Sequence, residues 1–295
     1  MEKSSKTSVG IIGLGIIGSR VAAVLRRGGF PVFVWNRSPR PEPNFLSSAR
    51  EVAESADIIQ IFVRDGEALL EVIRSMGTAL GDSHVVINHA TVSPAEILEA
   101  ARLVGERGAS FLDAPFTGTR DVAADGQLVY YVGGEEAVLE RAAPVLEASA
   151  RAILHMGPVG AATYVKVATN MISAASIQAL SEALALVEKS GIPPQFLASA
   201  LEFNGCRSGV MELKLPKMLE ADYEPHFSLK HMLKDVQFGL ALAKNVDLEL
   251  PACATTRTAM ADAVGAGHGD ADFAVIHQRH SVAAAVQPSP GDTPI

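Results

Sequence analysis

The chain has 295 residues and a formal net charge of −8. At roughly 150 residues per domain, this length predicts about two domains. Hydrophobic residues make up 48% of the chain and charged residues 20%, which is typical of a globular protein and excludes a disordered one. Because acidic residues outnumber basic ones, the chain lacks the cationic surplus that neutralises phosphates. We therefore expect no nucleic-acid partner.

The sequence predicts neither a secretory signal nor a membrane-spanning segment. Residues 1–8 are polar and lack the apolar segment of a secretory signal,. No stretch comes close to the roughly 18 apolar residues that cross a bilayer. We expect a cytoplasmic protein with no membrane partner.

The first half of the chain has the pattern of an α/β domain. Short β-branched runs alternate with helical periodicity from residue 9 to about residue 155, which predicts βαβ units and a mostly parallel sheet,. Ser93 and Pro94 are suited to the N-cap and first position of one helix. The predicted strands are 9–12, 32–35, 58–62, 85–88, 110–113, 128–132 and 152–156, and the predicted helices are 16–27, 66–76, 94–106 and 135–146.

The second half has a helical pattern throughout. After Gly160 the β-branched runs give way to stretches rich in Ala, Leu and Met, beginning with a long helix over 161–189 that joins the two domains,. We predict domains at 1–160 and 161–286, followed by a disordered tail at 287–295. The further predicted helices are 194–203, 211–220, 228–245, 251–263 and 272–280.

A glycine-rich turn follows the first predicted strand and opens a helix. In this context a Gly-x-Gly-x-x-Gly spacing is typical of a Rossmann-type dinucleotide-binding domain, because the glycines permit a tight turn, a close approach of backbone to pyrophosphate and close helix packing. A glycine-rich turn without a ligand is the alternative. The predicted cofactor contacts are Gly13, Leu14, Gly15, Ile16, Ile17 and Gly18.

The end of the second predicted strand indicates which dinucleotide binds. NAD enzymes place Asp or Glu there to bind the ribose hydroxyls, but this chain has Asn36-Arg37-Ser38, and the next carboxylate is Glu42. An arginine can donate two parallel charge-assisted hydrogen bonds to a 2′-phosphate. A solvated surface arginine is the alternative. We predict NADP(H) as the cofactor, with Asn36, Arg37 and Ser38 among its contacts.

A narrow polar stripe runs along the long helix at the predicted boundary. Thr163, Lys166, Asn170 and Ser173 fall within about 80° of one another at 100° per residue, while apolar residues occupy the other faces,. Such a stripe predicts either a helix that lines a ligand cleft or one whose polar face simply meets solvent.

Three ordered motifs together resemble the β-hydroxyacid dehydrogenase family over about residues 8–285. These motifs are the glycine turn, the segment from Gly157 to Asn170, and Lys234-Asp235-Val236-Gln237-Phe238-Gly239-Leu240-Ala241. The resemblance implies a Rossmann-type N-terminal domain followed by an all-α C-terminal domain. It also implies that Lys166 is the catalytic acid or base, Asn170 a catalytic and substrate contact, and Lys234 a contact of cofactor and substrate.

Two further family motifs occur with departures. The usual Asp-Ala-Pro-Val-Ser-Gly-Gly substrate loop is Asp113-Ala114-Pro115-Phe116-Thr117-Gly118-Thr119 here, and the usual Asp-x-Ser-Thr is Asn88-His89-Ala90-Thr91. Thr91 is therefore expected to contact the cofactor, with His89 as a further candidate, and Val63 is also expected among the cofactor contacts. The expected substrate contacts are Thr117, Gly118 and Thr119, whose backbone N–H groups can point at one carboxylate.

The resemblance implies an NADP(H)-dependent oxidoreductase that interconverts a small semialdehyde or 2-oxo acid and its hydroxy acid, as a homodimer or homotetramer. One alternative is an imine reductase, although those enzymes usually carry Asp or Tyr where Lys166 stands. The other is an NADPH-binding protein without catalysis. His268, His277 and His280 lack the Cys or paired Glu of a recognised ligand set, so no metal site is predicted,.

Overall fold

The structure, a computed structural model, describes residues 7–281. The predicted tail at 287–295 lies outside the described residues, as does most of the polar N-terminal segment. The chain divides into two compact units between Val167 and Ala168. This division falls inside the long helix rather than before it, and the domain limits at 160 and 286 stay a prediction.

The first unit contains a sheet of eight strands. β1 to β5 are parallel in the order β2-β1-β3-β4-β5, β7 is antiparallel to β5 and to β6, and β8 is parallel to β7. The mostly parallel sheet that the alternating pattern predicts is thus confirmed. The strands are β1 Val9–Ile12, β2 Val32–Trp35, β3 Ile58–Ile61, β4 Val85–Asn88, β5 Ser110–Asp113, β6 Phe116–Thr117, β7 Leu128–Gly133 and β8 Ala150–Gly157.

Helices cover both faces of this sheet and bury two apolar clusters. As a result, the central strands β1, β3 and β4 are buried along their whole length,. Ser93 and Glu96 form a reciprocal capping box at the start of the fourth helix,. The sequence prediction lacked the second and fifth helices and strand β6. The helices are α1 Gly18–Arg27, α2 Ala49–Ser55, α3 Gly66–Met76, α4 Pro94–Gly105, α5 Arg120–Ala124 and α6 Glu136–Glu147.

Helix α7, Ala161–Lys189, is 29 residues long and continues from the first unit into the second. By length and composition alone it could cross a membrane, with a mean hydropathy of 1.3 over its most apolar window. The expectation that no stretch is long and apolar enough was therefore wrong for this helix. Core helices of soluble proteins meet the same criterion, and 44% of the window is buried inside the protein, so the observation is weak evidence for a membrane span.

Helices make up most of the described part of the second unit, as predicted, around a core contributed by every long helix. The segment predicted as one helix over 272–280 is a 3₁₀ turn, Phe273–His277, followed by a single short helix. The Asp272 side chain caps this 3₁₀ turn and forms a buried ion pair with Lys214 at 2.8 Å. The remaining helices are α8 Gln195–Glu202, α9 Gly209–Glu220, α10 Leu229–Lys244, α11 Pro251–Ala263, a π-helical turn Val264–His268, and α12 Gln278–Ser281.

Candidate active site

The glycine turn lies at the carboxyl end of β1, where two of its glycines are required by packing. Gly13 has a φ of +95°, and a Cβ there would come within 2.0 Å of the Phe62 carbonyl oxygen. A Cβ on Gly18 would come within 2.0 Å of the Gly13 carbonyl oxygen. No other residue fits these two positions without moving the backbone.

Gly15 differs from its neighbours because a Cβ at this position would meet nothing within 4 Å. The turn is therefore open on the side where phosphates approach in this motif. The free N–H groups and partial positive charge at the N-terminus of α1 favour an anion. No acidic residue in the first turn of this helix opposes that preference. Leu14 is buried, whereas the side chain of Ile16 is 57% exposed. The turn fits a dinucleotide.

Asn36, at the end of β2, ties the glycine turn to the segment that follows this strand. The Leu14 N–H donates to its Oδ1 at 3.0 Å, and its Nδ2 donates to the Ser38 carbonyl at 2.8 Å. Arg37 and Ser38 are exposed. Within residues 7–281, the Arg37 guanidinium has no hydrogen-bond or ion-pair partner. It is the cation beside the turn that a phosphate could bind.

Val63 and Thr91 follow neighbouring strands, β3 and β4, and both are half-buried. The carboxyl ends of β1, β3 and β4 lie at one edge of the sheet because these strands are parallel. The strand order reverses beside β1, and in open α/β sheets ligands bind at this point. The structure thus brings Val63 and Thr91 to the same sheet edge as the glycine turn.

His89 points into the protein from the end of β4 and is 2% exposed. Its Nδ1 lies 2.7 Å from the Ala114 carbonyl oxygen, its Nε2 lies 2.8 Å from the Gln60 side-chain oxygen, and its ring stacks on Phe62 at 4.4 Å. Burial lowers the pKa of His89 to about 3, although the bond to Ala114 acts in the opposite direction,. At neutral pH, His89 is therefore an uncharged core residue and a poor proton donor.

Asp113, the first residue of the substrate-loop motif, is fully buried and contacts the start of α7. Its carboxylate accepts hydrogen bonds from the Thr163 N–H at 3.0 Å and from the Thr163 hydroxyl at 2.9 Å. Burial raises the pKa of Asp113 to about 6, while bonds from Thr163, Asn88 and Gly160 lower it,. Sequence reasoning did not assign a role to this residue.

The predicted substrate segment runs from Thr117, the last residue of β6, to Thr119, which precedes α5; Thr117 and Gly118 are exposed and Thr119 is half-buried. Thr117 pairs with Val129 of β7, and a Cβ on Gly118 would come within 2.7 Å of the Leu128 side chain. The Thr119 hydroxyl accepts the Val122 N–H at 3.4 Å and so caps α5. The extra side chain at position 119, where the family usually has glycine, thus begins a short helix.

In the second unit, the predicted residues Asn170 and Lys234 meet at one carboxylate. The Asn170 Nδ2 donates to Asp235 Oδ2 at 2.6 Å, and Lys234 Nζ lies 3.2 Å from Asp235 Oδ1. This second contact is not aligned as a hydrogen bond. Lys166, half-buried, precedes Asn170 by one turn of α7. Asp235 is a site residue that the motif contained but that sequence reasoning passed over.

The fold and the glycine turn together define an oxidoreductase with a nicotinamide cofactor. Residues 8–157 match the family described as the NAD binding domain of 6-phosphogluconate dehydrogenase. Residues 160–279 match the family described as "NAD-binding of NADP-dependent 3-hydroxyisobutyrate dehydrogenase". The chain belongs to the β-hydroxyacid dehydrogenase family, and it acts on the CH–OH group of a hydroxy acid or on the corresponding carbonyl.

Individual relatives agree with this assignment. Glyoxylate/succinic semialdehyde reductase 2 of Arabidopsis thaliana is 30% identical, over 93% of this chain and 80% of its own length. The 2-hydroxy-3-oxopropionate reductase of Escherichia coli is 32% identical, over 92% of this chain and 96% of its own length. The structure of 3-hydroxyisobutyrate dehydrogenase from Mycobacterium tuberculosis with L-serine is 27% identical, with a TM-score of 0.84 over 94% of this chain and 99% of its own.

The alternative of an imine reductase has weaker support. An imine reductase from Myxococcus stipitatus covers 94% of this chain and 99% of its own, but its TM-score is 0.64 and its identity 23%. That likeness shows a shared fold alone. The dehydrogenase assignment is therefore preferred.

Proposed function

We propose that the protein reduces a short carboxylate-bearing aldehyde or 2-oxo acid with NADPH, and that Lys166 donates the proton to the carbonyl oxygen. The observation that carries this proposal is the arrangement on α7, where a half-buried lysine precedes a buried Asn170 by one helical turn. Reversal of the reaction makes the same lysine the base that accepts the hydroxyl proton.

Several residues of the first unit are suited to hold NADPH. The open backbone at Gly15 would accept the pyrophosphate, and the Arg37 guanidinium and Ser38 hydroxyl would bind the 2′-phosphate,. Val63 and Thr91, at the ends of the adjoining strands, would contact the nicotinamide half. When bound, the reduced nicotinamide supplies the hydride that adds to the carbonyl carbon of the substrate.

The proton step belongs to Nζ of Lys166. Lys166 is half-buried on α7, and a lysine ammonium can act as a general acid towards a developing alkoxide. Asn170 would hold the substrate or the lysine, and its own amide is fixed by Asp235. A fixed amide orients a reactant without reorganisation at the moment of reaction.

The substrate carboxylate is proposed to bind Thr117, Gly118 and Thr119. Successive backbone N–H groups of this segment can point at one anion,. The names of two relatives, glyoxylate/succinic semialdehyde reductase and 2-hydroxy-3-oxopropionate reductase, refer to substrates that carry a carboxylate. We propose the same class for this protein.

The test is a turnover screen of the purified chain with NADPH and NADH. The panel contains glyoxylate, succinic semialdehyde, methylmalonate semialdehyde, neutral aldehydes of matched length and a cyclic imine. The proposal expects the carboxylate-bearing aldehydes to have the highest kcat/KM with NADPH. Equal kcat/KM for the neutral aldehydes, or preferred turnover of the imine, would contradict it.

A further inference from the structure

One buried carboxylate connects three segments of the candidate site. Asp113, at the end of β5, accepts hydrogen bonds from the Thr163 N–H at 3.0 Å and from the Thr163 hydroxyl at 2.9 Å, and the neighbouring Gly160 and Asn88 lower the pKa of its carboxyl. Both Asp113 and Thr163 are 0% exposed. Because α7 begins at Ala161, Gly160 and Thr163 carry N–H groups of its first turn, which have no partner inside the helix,.

Asn88 connects this carboxylate to the segment that contains Thr91. Its Nδ2 donates to the Ala90 carbonyl at 2.9 Å, and its Oδ1 accepts the Ala90 N–H at 3.1 Å. Asp113 is the register partner of Asn88 on β5, and Asn88 lowers the pKa of the Asp113 carboxyl. An aspartate in place of Asn88 would put a second carboxyl group beside Asp113.

We propose that Asp113 is a positioning residue of the reaction: its carboxylate fixes the first turn of the helix that carries Lys166, and the amide of Asn88, its register partner, leaves it without a second carboxyl group beside it. The inference rests on the proposed role of Lys166. It gives a physical reason for Asn88, which stands where the family usually has aspartate. Lys166 lies three residues, almost one helical turn, beyond Thr163, so a loosened first turn would displace its Nζ.

The ionisation of Asp113 matters because both groups that hydrogen-bond to it, the N–H and the hydroxyl of Thr163, are donors. Few other groups near Asp113 carry charge. Its partner on β7, Gly133, has no side chain, and His89, which follows Asn88, is uncharged. The next charged residue along α7 is Lys166. A proton on Asp113 would compete with one of these donors. Turnover should therefore fall on the acid side of the pKa of about 6.

The sharpest variant is Thr163→Val, which removes one hydroxyl donor from the carboxylate and keeps the shape of the side chain. We expect kcat to fall about tenfold, with the Kd for NADPH unchanged within about twofold. Thr163→Ser, which restores the hydroxyl, should recover most of the loss. Thr256→Val is the matched control, because Thr256 is also buried in a helix and bonds only to its own helix at Ala252.

The second variant, Asn88→Asp, places a second carboxyl group against Asp113. A second carboxylate at the register-paired position of the adjacent strand raises the pKa of Asp113,, so the acid limb of kcat should move by about one pH unit or more to higher pH. Asp113→Asn should lower kcat about ten- to a hundredfold and remove this limb. If Asp113→Asn fails to fold, Thr163→Val and Asn88→Asp still test the positioning role of Asp113.

Two readouts do not depend on turnover and so separate this inference from the proposed function. Amide hydrogen exchange in the segment from Gly160 to Lys166 should be about tenfold faster in Thr163→Val than in Thr163→Ser. The carboxyl ¹³C shift of Asp113 should titrate at higher pH in Asn88→Asp than in the wild type. Unchanged exchange in Thr163→Val together with an unmoved Asp113 titration in Asn88→Asp would overturn the proposal. Faster exchange in Thr163→Val without turnover of any aldehyde would overturn only the proposed function.

Discussion

Asn170 and Asp235 are joined by a hydrogen bond of 2.6 Å between side chains that are both almost fully buried. Asp235 also lies 3.2 Å from Lys234, which is 27% exposed. The carboxylate therefore orients the amide of one predicted site residue and partly neutralises the charge of another. Both residues were predicted from the family motifs, but the carboxylate that connects them was not.

The first prediction concerns this carboxylate. Asp235→Ala leaves the Asn170 amide buried without its acceptor, so the free energy of unfolding should fall by about 1–3 kcal/mol. Urea denaturation measures this loss. Asp262→Ala is the control, because Asp262 pairs with Arg279 at the surface and is 58% exposed, where an ion pair contributes little. An equal loss in both variants would contradict the assigned role of Asp235.

The second prediction concerns cofactor preference. Arg37→Ala removes the charge that we assign to the 2′-phosphate, so KM for NADPH should rise about ten- to a hundredfold, with KM for NADH nearly unchanged. Arg40→Ala is a matched control, since Arg40 is also exposed and lies three residues further on. Initial-rate kinetics with both cofactors measure the effect. Equal KM values for NADPH and NADH in the wild type would refute the preference.

The third prediction uses His89 and the pH dependence of stability. Its pKa falls from 6.5 to about 3 on folding, so between these values the unfolded chain binds a proton that the folded chain does not. This contribution to stability is present above pH 6.5 and is lost as the pH falls towards 3,. His89→Leu should therefore reduce the slope of unfolding free energy against pH in this window, by about 1.4 kcal/mol per pH unit at most.

Asp113 changes the free energy of unfolding with pH in the opposite direction over part of the same pH range. Its pKa rises from 3.8 to about 6 on folding, so the folded chain binds the extra proton and its contribution to stability decreases as the pH rises between these values. The comparison of His89→Leu with the wild type cancels this contribution. An identical slope in the two proteins, measured by denaturation at several pH values, would show that His89 titrates normally.

The fourth prediction concerns assembly, since a homodimer or homotetramer was expected from the resemblance. Helix α7 exposes Ile172 and Leu186, which are 68% and 70% exposed, and Phe196 on α8 is 65% exposed. Apolar side chains of this size on a helix surface favour burial against a second copy. Light scattering should give a mass above that of one chain, and Leu186→Glu should lower it. Leu98→Glu, on α4, is the control, as Leu98 is 58% exposed.

The main elements of the fold could be predicted from the sequence because strands β1 to β5 are short apolar runs and, except between β2 and β3, are separated by long periodic helices. Helices α2 and α5 were missed, since seven and five residues are too few to establish a helical period,. Helix α1 begins at Gly18 rather than at residue 16, because the glycine turn continues to Ile17.

The site was predictable as a set of segments but not as a set of contacts. Asp113 meets Thr163 across 50 positions of sequence, and Asn170 meets Asp235 across 65, which no local pattern indicates. His89 faces the interior, yet all residues of β4 are buried, so alternation along the strand carries no information on facing,. The roles of the site residues, the homo-oligomer and the cytoplasmic location stay predictions.

The most direct test of the account is the turnover of Lys166→Ala with NADPH and a carboxylate-bearing aldehyde such as succinic semialdehyde, measured together with the Kd for NADPH. If Lys166 is the proton donor, kcat falls about 10²- to 10⁴-fold while the Kd is unchanged. Lys189→Ala is the control, because Lys189 is an exposed lysine at the end of the same helix and should have normal turnover. A Lys166→Ala variant that keeps near-normal kcat would contradict the account.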